Sequence, residues 1–254
     1  MKRESYGVFF SPTGGTKKAL DVLLKNIDEN YTEIDLTVKD NREKDYVFKK
    51  DDLVVVAAPV YAGRIPMVTD LFSNLKGDNT PLIVMATYGN RHYDDALIQL
   101  KTILSKRGFK VIGGIAPVIP HIYSKKLGAN RPDIEDSKVI LEFRDKILEK
   151  LENNDLSEVY LPGNSDLEPL KEKPGSNILK YFNEGKCNNC RVCINLCPVS
   201  AISEDREIDK SLCINCMRCV KVCKSNARDF DDSKIKEYLE SNYLKRREIE
   251  YYLN

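Results

Sequence analysis

The 254-residue chain has no tryptophan, only two histidines and four methionines, and no cysteine before position 187. It also lacks an excess of either charge: 40 Lys and Arg stand against 39 Asp and Glu, a formal net charge of +1. No broad cationic surface for nucleic acid or an anionic membrane is therefore expected. The short run Lys245-Arg246-Arg247 reads as a solvated helix face. No apolar run approaches the roughly 20 residues of a membrane-spanning helix, and the stretch after Lys2, Arg3 and Glu4 is too brief for a secretory signal. A soluble, cytoplasmic protein is expected. Neither G-x-G-x-x-G nor a Gly-Lys-Ser/Thr phosphate loop occurs, which argues against a Rossmann-bound dinucleotide and against ATP. His92 and His121 lie in separate loops without an acid at a definite spacing. Each reads first as a hydrogen-bonded loop histidine, with a proton donor to a bound cofactor as the sharper alternative.

What is present is concentrated. All eight cysteines fall between positions 187 and 223, as Cys187-x2-Cys190-x2-Cys193-x3-Cys197 and Cys213-x2-Cys216-x2-Cys219-x3-Cys223. This is the bacterial spacing for 4Fe-4S cubanes: three thiolates of one tight loop cap one cluster, and the fourth, one helical turn further, reaches the other. The expected ligands are Cys187, Cys190, Cys193 and Cys223 for cluster I, and Cys213, Cys216, Cys219 and Cys197 for cluster II. Zinc would leave a third cysteine of each block unused, and disulfides suit small secreted frameworks. Pro198 follows Cys197, whereas Lys224 follows Cys223, restoring an N–H donor and adding a positive charge beside cluster I.

Upstream the pattern alternates. Strands are predicted near 5–10, 31–37, 52–58, 81–87 and 109–116. Helices are predicted after Thr16 (Leu20, Leu23, Leu24, Ile27), over 66–75, after Asp95 (Ala96, Leu97, Leu100, Ile103, Leu104) and over 133–152. Crossovers of that length imply an α/β fold with a doubly wound, five-stranded parallel sheet, whose ligands bind beyond the carboxyl ends of the strands. The unusual loops all follow strands: Ser11–Thr16, Pro59–Pro66, Thr87–Asp95 and Pro117–Tyr123. The first offers hydroxyls and backbone N–H groups at a helix start, suited to a phosphate monoester. With aromatics and glycines gathered at the same edge, the set describes a pocket for flavin mononucleotide (FMN).

Ser11 to Thr16 resembles the phosphate loop of flavodoxins, and Pro59–Pro66 with Thr87–Asp95 resembles their two isoalloxazine loops. The cysteine segment resembles a clostridial two-cluster ferredoxin. Together they are similar to the fused flavodoxin–ferredoxin family over nearly the full chain. The resemblance implies a flavodoxin-like FMN domain over 1–152, a linker or wrapping arm over 153–182, a small α+β domain with two 4Fe-4S clusters over 183–230, and a C-terminal helix over 231–254. It places Ser11, Thr13, Gly14, Gly15 and Thr16 on the FMN phosphate. Around the ring system it places Pro59, Tyr61, Gly63, Thr87, Gly89, Asn90 and Tyr93, with Tyr61 and Tyr93 as stacking residues. Arg64 or Arg91 nearby would favour a negatively charged reduced flavin, although each taken alone reads as solvated.

Residues 153–182 are rich in Asn, Pro and Gly, yet carry Val159, Tyr160, Leu161, Ile178, Leu179, Tyr181 and Phe182, which favours wrapping over a free tether. Residues 232–253 read as a charged helix with Ile235, Leu239, Ile249 and Leu253 in an imperfect stripe, docked or solvated. The expected function is electron transfer linking low-potential donors to acceptor redox proteins, without nucleic acid or membrane partners. The alternatives are a flavoenzyme fed through the clusters and an empty platform that only docks the ferredoxin part.

Overall fold

The computed structural model describes residues 3–69, 71–166 and 178–254. In chain order the α/β part consists of β1 (Ser5–Phe9), α1 (Gly15–Leu24), β2 (Thr32–Asp35), β3 (Tyr46–Phe48), β4 (Leu53–Pro59), β5 (Leu75–Gly77), β6 (Thr80–Thr87), α2 (Ala96–Ser105), β7 (Phe109–Ala116) and α3 (Ile134–Glu152). β4 and β6 are buried at every position, as strands covered on both faces must be, and they occupy the middle of the main sheet. Alternate side chains feed two cores. Val54, Val56, Val84 and Leu100 pack on the α2 face, while Val55, Ile83, Leu20, Phe143 and Ile147 pack on the face covered by α1 and α3. β2, β1, β4, β6 and β7 pair in parallel in that order, so the chain reverses its direction of travel across the sheet between β1 and β4. Numbering only these five strands, the order is 2-1-3-4-5, the flavodoxin-like doubly wound arrangement, whose ligand crevice lies at that reversal.

Three expectations change. The stretch 66–75 is not a helix: its bonds run Leu71 N to Val68 O and Leu75 N to Phe72 O, a series of turns. Asn74 is the reason, because its side chain donates to the carbonyls of Asn41 and Lys44 and its own carbonyl accepts from Tyr46 N. These bonds hold β5 beside β3 as a small parallel sheet. The C-terminal helix, α6 (Ser233–Tyr243), ends well short of the chain end, and β10 (Glu250–Tyr252) joins β7 as an antiparallel edge strand. The main sheet therefore has six strands rather than five. The basic run between α6 and β10 is not a solvated helix face: Arg246 pairs with Asp133, and Arg131 donates to the Arg247 carbonyl at 2.6 Å. Arg131 is itself buried against Asp136, which completes a capping box with Asp133 at the start of α3. Because Asp133 and Asp136 hold both arginines, the chain beyond Tyr243 turns back onto the sheet edge.

The cysteine segment forms a small unit closed by β8 (Lys180–Phe182) pairing antiparallel with β9 (Arg228–Phe230). Two one-turn helices, α4 (Val192–Asn195) and α5 (Arg218–Lys221), follow the two Cys-x2-Cys-x2 loops. Left-handed backbone recurs at matching places, Asn189 and Asn215, Arg191 and Met217, Ser200 and Asn226, so the two halves are folded alike. Of the arm, Val159 and Leu161 are buried, and Val159 N donates to Val111 O at 2.9 Å. Tyr160, Leu179 and Tyr181 are exposed, and the middle of the arm lies outside the described residues. Among the described residues no helix is long and apolar enough to cross a membrane.

Candidate flavin and cluster sites

Beyond the carboxyl ends of β1, β4, β6 and β7 lies a cavity of about 850 Å³. Thr13, Thr16, Pro59, Tyr61, Thr87 and Gly89 line it, together with Tyr88, Arg91, Ile119, His121 and Tyr123. The turn after β1 is built by Ser11, whose N–H donates to Thr37 Oγ1 at 2.7 Å and whose hydroxyl accepts from Lys17 N at 3.0 Å. Gly14 closes that turn at φ 86°, a conformation that excludes most side chains, and nothing stands within 4 Å of where a β-carbon would be. Thr16 and Thr87 hydroxyls bond at 2.7 Å and join the first and third loops. The start of α1, whose Lys17 N–H is already taken by Ser11, thus lies at the cavity between hydroxyl-bearing side chains.

Two close approaches shape the wall. A β-carbon on Gly89 would fall 2.3 Å from the His121 ring, so the imidazole lies directly on the glycine. His121 Nδ1 accepts from Tyr123 N at 3.1 Å, which assigns the proton to Nε2. Burial, aided by the Arg91 charge, pushes this histidine down to about 4, so it is neutral at pH 7. A β-carbon on Gly63 would meet the Asp94 carboxylate at 2.4 Å, and Gly63 O accepts from Asp95 N at 3.0 Å. Gly63 thus brings the second and third loops together and does not line the cavity.

Several expected site residues have other work. Asn90 donates to the carbonyls of Tyr243 at 2.7 Å and Lys245 at 2.9 Å and accepts from Arg247 N at 3.1 Å, anchoring the segment before β10. Tyr93 OH donates to the Glu250 carboxylate at 2.6 Å and lies in hydrogen-bond contact with the Tyr252 hydroxyl, and its ring stacks on His92 at 4.7 Å. Both anchor the C-terminal strand, whose return takes up their polar groups, and neither lines the cavity. Ser11, Gly14 and Gly15 shape the first loop from behind rather than lining the cavity. Arg91 lines it but pairs with Asp94.

The remaining wall comes from elsewhere in the chain: Ile214, Asn215 and Cys216 of the cysteine segment, and Ile235, Tyr238 and Leu239 of α6. Tyr123 and His121 were visible in a proline-flanked loop after β7, and their aromatic character was the signal for them. Nothing local in α6 marks it as a cavity wall. Three contacts seat the cysteine segment here: Arg218 Nη1 donates to Pro12 O at 2.9 Å, Tyr123 OH donates to Asn215 O at 3.3 Å, and Arg42 donates to the Pro198 carbonyl.

The eight thiols fall into two groups. Cys187, Cys190, Cys193 and Cys223 line one small enclosed cavity with Phe182 and Arg228. Arg228 is buried, and its Nε has no partner among the described residues, as expected of a cation placed beside a group of opposite charge. Cys216 and Cys219 are pushed up to about 12 and about 11, first by burial and further by the nearby thiols of Cys213 and Cys197. Crowded buried thiolates need a cation, so the donor set fits a metal cluster. Ala201 N and Ala227 N each donate to a fourth-cysteine sulfur, Cys197 and Cys223, at 3.2 Å. Among the described residues no three His, Cys, Asp or Glu converge on one metal ion. In a cubane each thiolate takes a different iron, so the ligands surround a volume rather than meet at a point.

These features define the class: a doubly wound α/β domain of flavodoxin-like strand order, bearing a twinned cysteine module against its ligand edge. A family model described as NosR matches residues 185–233, the stretch that holds all eight cysteines. No curated protein matches the chain. Among solved structures, a flavodoxin of Streptococcus pneumoniae is similar at 19% identity and a TM-score of 0.40, over 57% of this chain and 98% of that one. The flavodiiron core from Synechocystis is similar at 14% identity and a TM-score of 0.39, over 60% of this chain and 36% of that one.

Proposed function

We propose that the chain is an electron-transfer protein in which FMN in the sheet-edge cavity and two 4Fe-4S clusters exchange electrons within one molecule. The observation that carries this reading is Cys216, an expected ligand of cluster II, which stands in the wall of the same cavity as Thr13, Thr16 and Tyr61. When bound, FMN supplies two-electron capacity in one-electron steps, matched to clusters that carry one electron each. The protein's part is placement. Tyr61 and Gly89 offer a flat wall, His121 presents a neutral Nε2–H, and Ile214 and Leu239 exclude water between the cavity and the cysteine loop. Cys187, Cys190 and Cys193 line a separate cavity walled only by residues of the cysteine segment, and Cys190 is exposed. Cluster I is thus the port for redox partner proteins, and cluster II is the relay to the flavin. Eight reduced thiols fit a reducing compartment such as the cytoplasm.

Rapid reduction of the clusters by a low-potential donor should be followed by flavin reduction at a rate independent of protein concentration, because the encounter is intramolecular. A rate rising with protein concentration would refute the relay. One observation favours a second reading, a flavoenzyme. The cavity extends past the expected ring loops along Ile178, Leu179, Ile235 and Tyr238, room for a small apolar substrate. Catalytic reoxidation of the flavin by such a compound, without a protein acceptor, would establish it.

A further inference from the structure

The two cysteine blocks repeat one another in spacing and in backbone, so a residue beside one set of thiols has a counterpart beside the other. The fourth-cysteine sulfurs, Cys197 and Cys223, accept matched N–H bonds from Ala201 and Ala227, both at 3.2 Å. Those bonds cancel when the two sites are compared, and what differs is charge. Directly after the second cysteine stands Arg191 in the first block and Met217 in the second. Lys224 follows Cys223 where Pro198 follows Cys197, and Arg228 stands where the other block has Ile202. Met217, Pro198 and Ile202 are all buried. Arg191, Arg206 and Arg228 line the cavity shared by Cys187, Cys190, Cys193 and Cys223, and among the described residues no carboxylate lines it. Glu204 pairs with Arg191 at the exposed rim. Arg206 and Arg228 meet neutral groups: the Asn189 amide oxygen, the Arg206 carbonyl at 2.7 Å and the Phe182 ring at 4.8 Å. Two exchanges run the other way, Arg218 for Val192 and Lys221 for Asn195. The Arg218 guanidinium is bonded to the Pro12 carbonyl, and Lys221 is exposed.

We propose that Arg191, Lys224 and Arg228 make cluster I the higher-potential cluster of the two, so that an electron taken up by the module rests on cluster I and only passes through cluster II. The inference rests on the two-cluster reading above and deepens it. Each reduction adds one electron, and so one negative charge, to a cluster already held by four thiolates. Cations in the wall favour that added charge, whereas a buried apolar wall opposes it. Exposure acts in the same sense. Cys190 is exposed, while Cys216 stands in the wall of the flavin cavity, in a loop with the buried side chains Ile214 and Met217. The Arg228 charge also acts at Cys219, so Arg228 raises both clusters, and Arg191 and Lys224 add to the difference.

The test is a redox titration of the full-length protein, purified anaerobically with its iron and sulfide assayed. Dithionite supplies the electrons through viologen mediators, and the electron paramagnetic resonance of the reduced clusters is followed. The wild type should show two one-electron steps, with the upper cluster favoured at least about tenfold, which is about 59 mV for one electron. Arg228→Ile, which copies the second block, should lower that preference about tenfold, as expected for a charge removed from a protein interior. Arg228→Lys keeps the charge and should leave the upper step in place. Arg191→Met removes an exposed, paired cation and should lower the upper step alone, by about threefold. It gives the reading should Arg228→Ile lose iron. A wild type that reduces both clusters in one step would overturn the proposal. So would an upper step that neither Arg228→Ile nor Arg191→Met moves, or variants that move only the lower step. A wild type that holds fewer than about eight irons per chain would overturn the two-cluster reading as well.

Discussion

In the α/β domain Val54, Val55, Val56, Leu82, Ile83 and Val84 are wholly buried, and helices cover both faces of their sheet. In the cysteine module the buried apolar side chains are few: Ala201, Ile202, Ile214, Met217 and Ala227. Ile214 belongs to the core of the other domain. The first region can hold its shape by removing apolar surface from water. The second cannot, and has the character of small scaffolds that depend on metal ligation or docking. The seam between them joins the apolar contact of Ile214 to three hydrogen bonds, Arg218 to Pro12, Arg42 to Pro198 and Tyr123 to Asn215. Module and cavity wall are thus one structural problem, solved from both sides.

The sharpest way to break this comparison is to remove the iron of the proposed clusters. Anaerobic chelation should unfold the module while the sheet domain persists, giving new proteolytic cuts within 183–230 and continued protection of β4, β6 and α3. Equal protection throughout after iron loss would show that the module has a self-sufficient core.

Next in size is a change on the other side. Phe143 is fully buried between α3 and the sheet. Phe143→Ala should cost about 3–5 kcal/mol of domain stability, read from the urea midpoint, and should leave the iron content unchanged. Loss of iron in step with stability would mean that the two regions unfold as one unit.

The smallest effect sharpens the seam. His121 is held at about 4 against an ordinary 6.5. Above pH 6.5 the ring is neutral both folded and unfolded, so it contributes no pH dependence there. As the pH falls from 6.5 toward 4, the unfolded chain takes up a proton that the folded ring refuses, and stability declines by up to about 3 kcal/mol. Below 4 both forms are protonated and the decline stops. His121→Gln should flatten that part of the difference between urea midpoints at pH 7.0 and pH 4.5. An unchanged slope would mean that the ring reaches solvent and titrates freely.

Much of this was legible in the chain because the signals are local. The unbroken apolar run Leu53–Ala58 can only be a strand covered on both faces, and Ile140, Phe143, Ile147 and Leu151 can only be one stripe of a helix. Cysteine spacing is local too, and it grouped Cys223 with Cys187, Cys190 and Cys193 before any fold placed them around one cavity. Where periodicity misled, a distant partner had intervened. Residues 66–75 have helical spacing, yet Asn74 is claimed by carbonyls some thirty positions earlier in the chain. Tyr93 and Asn90 have the chemistry of ring contacts, yet Glu250, Tyr243 and Lys245 take their polar atoms from more than 150 residues away. The sequence by itself determined the five parallel strands and the helices after β1, after β6 and before the arm, because burial pattern and turn residues act over a few positions. Only the tertiary structure decided that the last strand closes the sheet edge, that α6 and a cysteine loop wall the cavity, and that Arg218 of the cysteine segment bonds to Pro12 in the loop after β1. Those contacts depend on satisfying buried polar groups across long chain separations, and nothing in the local pattern of either partner marks the other.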